Sequence, residues 1–153
     1  MNISVKNSRL YTAIVATAAC ALAILPSTSE ARSTDDDAFF QAARKGDFSC
    51  GLKSGSYALA KEYRSSSIAT DGEELSKCLF AARSGMMEAL KAIPNDDANK
   101  GLRDAAKNVY SAWGPYSGLL TQGASFKQVA ASPVARQFKQ ALSEYSTELE
   151  LAD

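Results

Sequence analysis

Beyond residue 31 the apolar residues recur at helical spacing, and strand-like alternation is scarce. Asp35, Asp36 and Asp37 place negative charge and a cap ahead of Phe39, predicting a short helix over 39–45 that Gly46 is positioned to end. A second helix is expected over 57–64, between Ser54 or Ser56 and the Ser65-Ser66-Ser67 run. For the third, Asp71 and Glu74 have the spacing of a capping box. Leu75, Cys78, Leu79, Ala82, Met86, Leu90 and Ile93 then share one stripe until Pro94, with a kink or break expected at Gly85.

Asn95, Asp96 and Asp97 are expected to cap a fourth helix whose apolar face is Leu102, Ala105, Ala106, Val109, Ala112 and Trp113, ended by Gly114-Pro115. Residues 116–132 read as loop-rich, with one short helical turn over 126–131. The last helix has the clearest start: Ser132 at the cap and Pro133 at the first helical position, then Val134, Phe138, Ala141, Leu142, Tyr145 and Leu149 on one face. The expected fold class is all-α, a small bundle of four to five mostly antiparallel helices around one core.

The first 31 residues break this pattern. Lys6 and Arg9 precede an uncharged run over 10–25, which ends at Pro26 before Ser29-Glu30-Ala31, the layout of a secretory signal peptide cut after Ala31. Sixteen residues fall short of the roughly 20 that span a bilayer, so no stable membrane span is expected after cleavage. Cys20 lacks the context of a lipid-bearing cysteine, because the apolar run continues past it. The expected division is a leader over 1–31 and a single helical domain over 32–153, in the periplasm or outside the cell.

Export changes how the cysteines are read. Cys50 and Cys78 are the two left after cleavage, and an oxidising compartment favours joining them. The closed loop of about 29 residues corresponds to about 3.5 kcal/mol of stability in the chain-entropy model. Metal and redox readings lack a further thiol, an imidazole or a Cys-x-x-Cys.

Composition removes most catalytic chemistry. The chain has 17 basic and 17 acidic residues, 46% hydrophobic positions and no histidine, so a Ser-His pair, a His-ligated zinc and a His-ligated haem are all excluded. No Gly-x-Ser-x-Gly elbow, phosphate loop or dinucleotide fingerprint is present, and no cofactor is expected. Lys6, Arg9 and Glu30 leave with the leader, so the mature domain carries 15 basic and 16 acidic groups, and no nucleic-acid partner is expected. Residues 77–139 hold nine basic and four acidic groups, whereas Glu144, Glu148, Glu150 and Asp153 end the chain. This pattern fits either an acidic last helix lying against a basic central one or a basic surface for an acidic partner.

One internal similarity stands out: Ala42-Ala43-Arg44-Lys45-Gly46 and Ala81-Ala82-Arg83-Ser84-Gly85. The other marks of an ankyrin repeat are missing, and two similar helix endings account for the match.

These features point to an exported, non-catalytic protein-binding module of inhibitor, immunity or envelope-accessory type, whose partner is another exported or envelope protein. The alternative is a carrier that holds a small hydrophobic ligand among Phe80, Met86, Met87, Tyr110 and Trp113. Candidate contact residues are Tyr110, Trp113 and Tyr116 around the Gly114-Pro115 turn, and Arg103 and Lys107 in the basic region. A lone tryptophan in a small helical domain is also a natural core plug.

Overall fold

A computed structural model describes residues 33–152, all of whose regular structure is helical. The expected leader and its cleavage site lie outside the described residues. Helix α1 spans Ala38–Glu62, α2 Ile68–Ala92, α3 Lys100–Thr121, α4 Phe126–Ala131 and α5 Pro133–Leu151. The all-α bundle expected from the periodicity is the fold observed. Among the described residues, no helix is long and apolar enough to cross a membrane.

The two short helices expected at the start are one helix of 25 residues. Asp37 caps it as anticipated, its Oδ1 accepting from the Phe40 N–H at 2.7 Å. The same oxygen accepts from the Tyr145 hydroxyl at 2.9 Å, which ties the start of α1 to α5. Gly46 does not end the helix, because it serves close packing: a Cβ there would stand 2.8 Å from Ala82 Cβ and 3.1 Å from Trp113 Cη2. The chain leaves α1 further on. Arg64 takes a φ of 50°, and the Ser65 N–H donates back to the Ala60 carbonyl at 2.9 Å.

Helix α2 begins three residues before Asp71, and the expected capping box does not form; Asp71 instead accepts from the Ser67 hydroxyl at 2.8 Å. The helix continues through Gly85 and stops at Ala92, with Ile93 extended ahead of Pro94. The two Ala-Ala-Arg-x-Gly segments are therefore mid-helix and not helix endings. They face each other across the antiparallel α1–α2 pair, Gly46 against Ala82 and Gly85 against Ala42. Small side chains let the two backbones approach closely, and one turn further along Cys50 is joined to Cys78, with Cα atoms 5.6 Å apart.

Helix α3 starts at Lys100, later than the Asn95–Asp97 signal implied, and it runs straight through Gly114-Pro115. Proline removes a backbone donor and ordinarily breaks a helix. Here the residues on either side of it are anchored in the core. Trp113 packs edge-on against Tyr116 and Phe138 at 5.7 and 5.5 Å, and Tyr116 stacks on Phe138 at 4.8 Å. Tertiary packing holds the turn that local propensity would open.

The short helix α4 and the last helix match the sequence reading. Ser125 and Gln128 form a reciprocal capping box, and the Ser132 side chain accepts from the Val134 N–H ahead of α5. Helix α5 packs along α3, while α1 pairs with α2. Ser54, fully buried, donates to the Leu120 carbonyl at 2.9 Å and so links α1 to the end of α3.

Candidate protein-binding surface

The uninterrupted course of α1 creates a surface that its expected fragments would not have had. One face of the helix carries Phe39, Ala43, Cys50 and Ala60 into the core. On the opposite side, Phe48, Leu52, Leu59 and Tyr63 recur at helical spacing and remain exposed, Phe48 by 69% and Tyr63 by 75%. At 1.5 Å per residue this apolar stripe is about 22 Å long. Helix α4 extends it sideways, since the ring of Phe126, itself 58% exposed, rests against Gly55 where a Cβ would collide with it.

Between α1 and the α4–α5 segment lies an open groove of about 360 Å³, lined by Phe48, Gly51, Leu52, Phe126, Val129, Ala130 and Lys139, with Asp47 and Tyr116 at its wall. The Tyr116 hydroxyl donates to Asp47 Oδ1 in a short bond of 2.5 Å. Burial, reinforced by the neighbouring carboxylate, pushes the Tyr116 phenol far above its ordinary pKa, so it stays protonated and keeps donating. That bond ties α3 to α1 at the groove wall.

The residues singled out from the sequence do not converge on this groove. Trp113 and Tyr116 are each 1% exposed and belong to the aromatic core, so they offer no partner an anchor around a turn. Tyr110 is half-buried, its hydroxyl accepting from Arg83 Nε at 3.1 Å while the guanidinium lies 5.9 Å from its ring centroid. Arg103 donates to the Ile93 carbonyl at 2.7 Å and closes the α2–α3 connection. Lys107 pairs with Asp104, which also holds Lys100, along α3 itself. The two lysines pull the Asp104 carboxyl down to about 2. Much of the basic central region is thus engaged within the fold.

The side chains nominated for a ligand cavity also part company: Met86 and Trp113 are buried, whereas Phe80 is 74% exposed. Among the described residues no group of His, Cys, Asp and Glu is arranged to hold a metal ion. A larger groove of about 450 Å³ between α3 and α5 mixes the polar Asn108, Ser111, Gln137, Gln140 and Glu144 with the small apolar Ala112, Pro115 and Ala141, and has no large exposed apolar side chain in its lining.

Phe48, Leu52, Leu59 and Tyr63 were missed because a helix stop at Gly46 scatters them over a loop and a second short helix. Their spacing of 4, 7 and 4 residues is legible once α1 is continuous. No family model, curated protein or solved structure matches this chain.

Proposed function

We propose that this chain is an exported, non-catalytic protein-binding module and that the apolar face of α1 and α4 is its contact surface. The observation that carries this reading is the continuous exposed stripe of Phe48, Leu52, Leu59 and Tyr63, widened by Phe126. Contiguous apolar patches of several hundred Å² on small domains mark interaction sites, and large aromatics dominate the energetics of such contacts. The Cys50–Cys78 bond agrees with an oxidising compartment. The lack of histidine narrows the scope for acid–base chemistry.

The test compares capture from envelope extract by the native chain with capture by Phe48→Asp and Arg103→Ala variants. A partner held through the α1 face is retained by Arg103→Ala and lost with Phe48→Asp, whose side chain points outward and leaves the core intact. Capture that survives Phe48→Asp and fails with Arg103→Ala would move the interface to the basic region. An intact mass beginning at Arg32 is expected for the protein from its own cells, and retention of residues 1–31 would contradict export with cleavage.

A further inference from the structure

The two ends of the Cys50–Cys78 bond are unequally placed, and from this we infer that Cys78 is a site of S-thiolation, at which the thiolate of a low-molecular-weight thiol opens the bond in the folded chain. The inference concerns the α1–α2 pair and stands apart from whatever the apolar face of α1 and α4 binds. Cys50 has 0% of its surface exposed and belongs to the core. Cys78 is only partly buried and lines an open groove of about 290 Å³ between α1 and α2. A nucleophile arriving from solvent meets the cysteine on α2 and not the one on α1.

The sequence around Cys78 explains why it is left uncovered. Side chains on a helix lean toward its N-terminus, so the residues able to roof Cys78 from its own helix stand three and four positions later. Both are alanines, Ala81 and Ala82. Across the groove α1 presents Ala42, Gly46 and Ser49, none of them long enough to reach over it. The small residues that let the two backbones approach thus also keep the groove open at the disulfide. Its charged lining residue is Lys45, and the lining holds no carboxylate to repel an anionic thiolate. Glu74, one turn before Cys78, is already paired with Lys53 at 2.6 Å.

The exchange balances without an oxidant or a reductant. The incoming sulfur bonds to Cys78 Sγ as the bond to Cys50 Sγ breaks, and the electron pair leaves on Cys50, which takes a proton from water. One disulfide replaces another, and one thiol replaces another. The product carries the small thiol on Cys78 and a buried free thiol at Cys50, with the link between α1 and α2 open. Attack on Cys50 Sγ requires the helix pair to separate first.

Reduction of the native protein by glutathione tests the inference. The rate is expected to be first order in glutathione and flat in urea below the unfolding transition, as attack on the folded chain requires. Ala81→Phe places a ring over Cys78 from an exposed position on the groove rim. It is expected to slow the reaction by roughly fivefold or more with an unchanged urea midpoint, because exchange depends on access to the attacked sulfur. Ser76→Phe, also exposed on α2 but outside the groove lining, is expected to leave the rate unchanged. Oxidised glutathione should label Cys78 in Cys50→Ser about tenfold faster than it labels Cys50 in Cys78→Ser, with helical dichroism retained. A native rate that tracks the unfolded fraction in urea, a rate that ignores Ala81→Phe, or equal labelling of the two folded single-cysteine variants would overturn the inference. Should those variants lose their helix content, the native and Ala81→Phe rates decide it alone.

Discussion

Arg64 closes α1 with a φ of 50°, in the left-handed region where an L side chain costs roughly 1–2 kcal/mol and glycine costs little. Its side chain is exposed, so replacing it removes no core contact. Arg64→Gly is therefore expected to stabilise the fold by about 0.5–1 kcal/mol after the extra freedom of glycine in the unfolded chain is discounted. Urea denaturation measures this, and a loss of stability would mean that the Arg64 side chain contributes a contact of its own. Asp104 tests a different force. Its carboxyl is held down from 3.8 to about 2 by hydrogen bonds and charge from Lys107 and Lys100. A proton thus binds more weakly to the folded chain than to the unfolded one. The stabilisation is fully present above about pH 4 and disappears as pH falls through about 2. In thermal melts, the deficit of Asp104→Asn relative to the native chain should be visible at pH 6 and vanish near pH 2. A deficit unchanged at pH 2 would show that the ion pairs are not its source.

Glycine has opposite meanings at two places in α1. Gly46 faces Ala82 and Trp113 at distances that a methyl group cannot share, whereas Gly51 faces open space. Gly51→Ala should raise stability by about 0.5–1 kcal/mol through helix propensity, and Gly46→Ala should lower it despite the same propensity gain. Equal effects in denaturation would contradict the close α1–α2 packing. The same contrast explains what was legible in the sequence. Caps are local, so Ser132-Pro133 and Asp37 were readable from neighbouring residues alone, as was the short turn over 126–131. Gly46, Gly85 and Pro115 were not. Each is a helix breaker by local propensity, and each is held in a helix by a partner remote in sequence: Ala82 and Trp113, Ala42, and the stacking of Tyr116 on Phe138. The outer stripe of α1 was hidden for the same reason, since it exists only if the helix passes Gly46.

The bundle joins two helical pairs, α1 with α2 and α3 with α5, and the Cys50–Cys78 bond staples the first. Its Cα separation of 5.6 Å lies within the range that bridged cysteines occupy. Reduction should cost on the order of 3 kcal/mol and lower the melting temperature by roughly 10 °C or more, and an unchanged melt in reductant would show that the staple adds nothing. The α1 face is independent of that staple, because its side chains point away from α2. The measurement that bears most directly on that face is site-specific photo-crosslinking in the expressing cells, with a photoreactive side chain placed at Leu52 on the α1 stripe or, as a control, at Ser143 on the exposed side of α5. A discrete protein adduct from position 52 and none from 143 is the expected result. Adducts from 143 with none from 52 would contradict the assignment of the α1 and α4 face as the surface through which this protein works.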